Sequence, residues 1–163
     1  GFGGGGRRPS GGAGGSGRRR APAAGDIDLL AVARGAGLPA AAAALRPPRR
    51  GDRLEIAETY AAGPRRRSFI LRRARRGAPP RHYRADLFFA TAAERPFALF
   101  HFTGGRRYNI RARVRARRLG WRLNQYGLFT RGGRPVPGAL AIRSERALAR
   151  FLGLTPRPPH ERG

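Results

Sequence analysis

The sequence predicts an α+β chain of two small lobes, strands first and helices after, and three observations lead there. Between residues 26 and 90, short runs rich in Ile, Leu, Phe and Tyr alternate with polar positions, the period of half-buried strands. Beyond a lobe boundary near residue 91, Gly104-Gly105, Gly120 and Gly153 punctuate segments of helical character. The chain has 163 residues, enough for one domain or two small lobes.

Residues 1–24 are rich in Gly, Arg, Pro and Ala without periodicity, and a flexible basic start is expected there. A strand over 26–33 follows. Residues 34–53 are Ala/Pro/Arg-rich, with a short helix expected at Leu38–Leu45, ended by Pro47-Pro48. Leu54, Ile56 and Tyr60 alternate with polar positions and predict a strand over 53–60; a second covers 67–72 around Phe69-Ile70-Leu71. Gly63-Pro64 marks the hairpin between them. In the strand expected at 83–90, Tyr83, Ala85, Leu87 and Phe89 share one face and Arg84, Asp86 and Phe88 the other. Asp86 is then a lone acid on a mostly apolar strand and needs a partner. A short apolar helix is expected at Pro96–His101 and a strongly basic one at Arg106–Leu119, stopped by Gly120. Short strands or turns span 121–129. Ser144 N-caps a last helix, Glu145–Leu152, which Gly153 ends. The tail is Pro-rich, and no internal repeat is evident.

The net charge is +26, and all 35 basic residues are Arg. Bias toward Ala, Gly, Arg and Pro accounts for Arg over Lys but not for only nine acids, so a polyanionic partner, nucleic acid first, is expected. Without Cys there is no zinc ribbon, thiol nucleophile or disulfide framework. Without Lys there is no Schiff base and no lysyl-AMP, so no lysine-based lyase or ligase step. No apolar run reaches the roughly 18 residues of a membrane span, and no signal peptide is visible. The expectation is an intracellular, non-secreted protein that does not engage membranes, with nucleus, cytoplasm and virion not distinguished. The chain begins Gly1-Phe2-Gly3 and has no Met, as expected of a fragment, a processed product or an edited sequence.

Four aspartates are present, at 26, 28, 52 and 86. Asp26 and Asp28 lie two apart in Gly25-Asp26-Ile27-Asp28-Leu29-Leu30, so strand geometry points both carboxylates to one face. Two carboxylates about 4 Å apart repel by roughly 4 kcal/mol at an effective dielectric of 20. A divalent cation removes that repulsion, and hard oxygen ligands suit Mg²⁺ or Mn²⁺. A bare Asp-x-Asp is more often a half-buried strand with two solvated acids; the flanking residues shift the balance.

Gly15-Ser16-Gly17-Arg18-Arg19, followed after five intervening residues by Gly25-Asp26-Ile27-Asp28, resembles the nucleotidyltransferase signature of the X-family DNA polymerases. His101-Phe102-Thr103-Gly104 with Asn109 and Arg113 resembles that family's thumb motif, and Arg84-Ala85-Asp86 its third-aspartate strand. Asn124-Gln125-Tyr126-Gly127-Leu128-Phe129 and the ending from Gly153 to Arg162 continue the likeness, which covers about residues 14–33 and 53–162 and is nearest to the family's small palm-plus-thumb members. Gly-Ser plus Asp-x-Asp is shared by many nucleotidyltransferases; with the thumb motif it is specific. Three departures stand out. The family places a helix and an apolar strand ahead of Gly-Ser, which residues 1–14 do not supply in sequence. Gly17 replaces a larger apolar residue. His101 stands where most relatives have Tyr.

The resemblance implies a flexible segment 1–14, a nucleotidyltransferase palm at 15–91 (a mixed sheet with flanking helices) and a small α/β thumb at 92–163. It implies template-directed DNA polymerase activity, in short-gap repair, by two-metal phosphoryl transfer with two Mg²⁺ that Mn²⁺ can replace. Asp26 and Asp28 would bridge both metals, and Asp86 would hold the catalytic one and orient or deprotonate the primer 3′-hydroxyl. Gly15 and Gly25 would admit the triphosphate to backbone amides, and Ser16 and Arg19 would bind its oxygens. Phe102 and Gly104 would line the sugar pocket. His101 would either stack on a base or pack against the helix. Asn109 and Arg113, four apart on one helix face, would read the minor-groove side of the nascent pair. Arg84, Asn124 and Tyr126 would contact DNA, and Trp121 would be core. Arg111, Arg115 and Arg118 would be solvated or touch phosphates. Partners would be double-stranded or gapped DNA and deoxynucleoside triphosphates, and the protein a monomer. Two other readings stay open: a basic DNA-binding protein with the fold but no catalysis, and a template-independent nucleotidyltransferase.

Overall fold

A computed structural model describes residues 10–13, 26–33, 54–74 and 76–162. Among the described residues the first half forms a five-stranded mixed sheet: β1 (Ser10–Ala13), β2 (Asp26–Ala33), β3 (Leu54–Ala62), β4 (Arg66–Arg73) and β5 (Arg81–Thr91), in the order β1-β2-β5-β4-β3. β2 and β5 run parallel at the centre and the other pairs are antiparallel. Within the segment 1–14, expected to be flexible, the described residues Ser10–Ala13 pair with Leu29–Val32 as a strand. Ser-Gly-Gly-Ala carries no apolar alternation; its ladder bonds come from backbone alone, which side-chain patterning cannot reveal. The helix expected at Leu38–Leu45 lies outside the described residues.

The two sheet faces bury different partners. Ile27, Phe69, Leu71, Ala85 and Leu87 pack together on one. On the other, Leu30, Val32, Phe88 and Ala90 meet Ala98, Leu99 and Phe102 of helix α1 (Arg95–Thr103). Thr91 and Glu94 start that helix reciprocally: Thr91 N donates to Glu94 Oε2 at 2.9 Å and Glu94 N to Thr91 Oγ1 at 3.3 Å. Pro96 in the first turn forfeits an N–H that would have no intrahelical partner.

The second half is built on α1, α2 (Arg106–Arg118), the hairpin β6 (Trp121–Asn124) and β7 (Gly127–Thr130), and α3 (Glu145–Phe151). Arg-rich α2 holds its place through one stripe, Tyr108, Ala112 and Ala116, spaced by four and buried. Phe97, Phe100, Leu128, Ile142, Leu148 and Leu152 complete that core, with Trp121 half-buried against it. Trp121 packs on Phe151 with ring centroids 5.6 Å apart, as expected of a core residue. Ser144 caps α3, its Oγ accepting from Ala147 N at 3.1 Å, and Gly153 ends it at φ +68°. Among the described residues no helix is long and apolar enough to cross a membrane.

Candidate active site

Strand register assembles the acids. Asp28 is paired directly with Asp86 across the parallel β2–β5 ladder, and Asp26 takes the position opposite Arg84. Directly paired residues of parallel strands share a face, so Asp28 and Asp86 lie side by side on the face that α1 covers further along. The side chain of Asp26 lies outside the described residues. So do Gly15, Ser16, Gly17, Arg19, Gly25 and Asp52.

Asp86 has the partners its sequence environment called for. Arg66 Nη2 donates to both carboxylate oxygens, at 3.0 and 2.9 Å, and Nε to Oδ1 at 3.3 Å. Ser68 Oγ also donates to Oδ1. Burial pushes the Asp86 pKa up. The Ser68 hydroxyl, the Arg66 hydrogen bonds and charge, and the charge of Arg84 outweigh it, so the carboxyl sits below its usual range. Neither Arg66 nor Ser68 stands out in sequence. Both follow from pairing β4 with β5, which sets Ser68 opposite Asp86 and Arg66 opposite Phe88. Arg84 is exposed, its Nε donating to Tyr60 Oη at 3.1 Å.

A side-by-side pair of carboxylates, with a buried serine behind Asp86, is a hard-oxygen donor set that fits a divalent cation. Among the described residues no three acidic, imidazole or thiol groups converge as ligands.

The thumb motif folds around two glycines. The α1–α2 junction brings Asn109 Nδ2 within 2.7 Å of the carbonyl of His101. A Cβ on Gly104 would stand 2.8 Å from Asn109 Oδ1 and 3.1 Å from Phe100 O, so only glycine leaves room. His101 packs toward α2. Arg113 Nη2 lies 3.0 Å from its Nδ1, and a guanidinium only donates, so Nδ1 accepts and the ring is neutral. Burial, then the Arg113 charge, hold the His101 pKa below its ordinary value. The ring meets Phe102 edge-on at 4.8 Å, and Phe102 stacks on Phe88 at 4.1 Å. Phe102 thus joins the thumb motif to the aspartate-bearing face.

Two sides of this junction are open. Arg113, Arg117, Trp121, Arg122, Asn124 and Arg131 line a groove of about 680 Å³. Asn124 Oδ1 accepts from Tyr126 N at 2.9 Å and Gly127 N at 3.1 Å, shaping the hairpin turn. A smaller cleft of about 190 Å³ lies between the sheet and the thumb, lined by Arg65, Arg66, Phe88, Phe102, Gln125 and Tyr126. Arg65 closes one end, its guanidinium 4.4 Å from the Tyr126 ring and its Nη2 2.7 Å from Glu94 Oε1.

Arg115 departs from expectation. It is half-buried, and its Nε donates to Leu152 O at 2.9 Å, capping the end of α3. Arg111 and Arg118 are exposed as expected.

Residues 98–163 match the family model for the DNA polymerase beta thumb. Over 80 residues the chain is 48% identical to the Repair DNA polymerase X of an African swine fever virus isolate from a Kenyan pig, a match covering 49% of this chain and 44% of the relative. It is 46% identical over the same length to the protein of a Malawian tick isolate. The matched stretch thus spans under half the length of these viral relatives. Among solved structures, Leishmania infantum polymerase beta in a ternary P/T complex superposes with a TM-score of 0.74 at 26% identity, over 96% of this chain and 68% of that one. The same protein in a ternary gap complex gives 0.72 at 26%, over 95% and 62%.

Proposed function

From the match of residues 98–163 to the DNA polymerase beta thumb model, in a chain that has the polymerase beta fold and is similar to X-family repair polymerases, we propose that this protein is a template-directed DNA polymerase that fills short gaps. The observation that carries the reading is the linking of two features: the Asp28–Asp86 pair on the sheet and the His101–Asn109–Arg113 cluster at the α1–α2 junction, joined through Phe102, which stacks on Phe88 and meets His101 edge-on. The viral relatives are repair polymerases by name, and the Leishmania protein was solved with a gap, which supports gapped duplex as the substrate.

Asp26, Asp28 and Asp86 would hold two divalent cations, Mg²⁺ with Mn²⁺ able to substitute. These would supply charge stabilisation to the attacking and leaving oxygens of an in-line phosphoryl transfer. Asp86 would hold the catalytic cation and orient or deprotonate the primer 3′-hydroxyl. Gly15, Ser16, Arg19 and Gly25 would bind the triphosphate of a deoxynucleotide. Phe102 and Gly104 would flank its sugar, with His101 buttressing Phe102. Asn109 and Arg113 would test the minor-groove edge of the new pair, where acceptors are common to all correct pairs. Arg84, Asn124 and Tyr126 would contact the DNA strands, and the protein would act as a monomer. The absence of Lys leaves no lysine-based lyase step in this chain.

Two measurements follow from the basic surface and from α2. Six to ten arginine–phosphate contacts give a log–log salt dependence of duplex binding with a slope of roughly −5 to −9. A slope near −1 in a titration would show that the arginine content is compositional. Arg113→Ala should slow incorporation by roughly 10- to 150-fold, the loss of a charged hydrogen bond formed in the closed complex, with DNA affinity little changed. Arg111→Ala, on the exposed side of the same helix, should weaken DNA binding uniformly and shorten the salt slope by about one. Equal losses of affinity alone in both variants would make α2 a generic basic clamp and remove the support for templated synthesis.

A further inference from the structure

We propose that Arg66 is the resident counter-cation of the carboxylate site and is exchanged for a divalent cation when the site loads, so that it sets how tightly metal binds. The inference rests on the reading of Asp28 and Asp86 as metal ligands and adds a residue that reading does not use.

Three observations carry it. Arg66 covers both oxygens of Asp86, with Nη2 at 2.9 and 3.0 Å and Nε at 3.3 Å, while Ser68 donates to Oδ1 as well. A cation seated on those oxygens and a guanidinium donating to them compete for the same lone pairs. Second, Asp28 sits directly opposite Asp86 on the parallel strand. Paired carboxylates repel, and the Arg66 charge offsets that repulsion in the chain without metal. Third, the two partners of Asp86 differ in freedom to leave. Ser68 is buried at 1% exposure and fixed in the sheet. The Arg66 side chain is 51% exposed, so it can swing away without uncovering the core. It lines the cleft between sheet and thumb, with its guanidinium carbon 5.4 Å from the Phe88 ring centroid. A released guanidinium there faces the space a polyanion would enter. Arg162 makes the contrast: its ion pair is buried and has nowhere to go.

The test is Mn²⁺ binding to the full chain, without DNA or nucleotide, followed by electron paramagnetic resonance at constant ionic strength. Arg66→Ala and Arg66→Gln should each tighten Mn²⁺ binding about three- to tenfold, the range of a part-exposed ion pair. Arg111→Ala removes the same charge at an exposed thumb position and should change it by less than about twofold, since charges beyond a Debye length of roughly 8 Å are largely screened. Unchanged or weaker binding in both Arg66 variants would overturn the proposal, and so would equal tightening in Arg111→Ala, which would reduce the effect to net charge. Asp86→Ala separates the two levels. If it leaves wild-type Mn²⁺ affinity intact, the carboxylates are not the metal site and the active-site reading fails with the proposal. If it abolishes binding while the Arg66 variants match wild type, only the counter-cation role fails.

Discussion

Asp28→Ala and Asp86→Ala should each lower nucleotide addition by on the order of a thousandfold or more, with DNA still bound. Each carboxylate is asked to supply several kcal/mol of charge stabilisation, and every 1.4 kcal/mol is a factor of about ten in rate. Asp26→Ala should behave alike, by its place two residues before Asp28 in the strand. Asp52→Ala should retain addition, because Asp52 stands in a Pro/Arg/Gly-rich stretch outside the motif. Asp86→Ala also leaves Arg66 and Ser68 without their acceptor. Asp86→Asn is the sharper variant, since it keeps an oxygen for Ser68 and removes only the charge. Single-turnover incorporation, with circular dichroism as a check of fold, decides the matter. Full activity in Asp86→Ala would sink the assignment.

A second large effect is expected far from the carboxylates. Arg162 is 4% exposed, and its Nη1 donates to Glu145 Oε1 at 2.7 Å and its Nε to Arg157 O at 2.8 Å. The guanidinium sits 5.3 Å from the ring centroids of both Phe100 and Tyr108. Its carbonyl accepts from Gly105 N at 2.8 Å, so the tail pins the α1–α2 junction that positions Asn109. Breaking a buried ion pair by removing one partner is strongly destabilising, so Arg162→Ala should cost about 3–5 kcal/mol. The thermal midpoint should fall by roughly 6–20 °C. Arg162→Met combined with Glu145→Leu removes both charges and should recover most of the loss. A midpoint unchanged in Arg162→Ala would show that the tail is not part of the folded unit.

The legible parts of this chain were those governed by local pattern. Alternation in Asp26–Ala33 and Arg81–Thr91 gave two strands and put Asp28 and Asp86 on definite faces. Ser144 and Gly153 bracketed the last helix, and Gly104 marked a turn that a side chain would obstruct. What could not be read depends on pairing between segments distant in sequence. Arg66 and Ser68 became site residues only once β4 registered against β5. Arg115 looked like one more solvated arginine on α2 until α3 presented the Leu152 carbonyl beside it. β1 gave no signal because Ser-Gly-Gly-Ala carries no apolar alternation, while its pairing with β2 is a backbone ladder. His101, open to two readings in sequence, packs toward α2 because Arg113 reaches its ring from one helix away.

Extension of one labelled primer, compared on a one-nucleotide-gapped duplex and as a single strand with no template, in Mg²⁺ and deoxynucleotides, tests the central claim most directly. The account predicts one-nucleotide extension on the gapped duplex and none on the single strand, with the product lost in Asp86→Asn. Equal extension of both would make the protein a template-independent transferase, and no extension of either, under conditions where the duplex is bound, would contradict catalysis altogether.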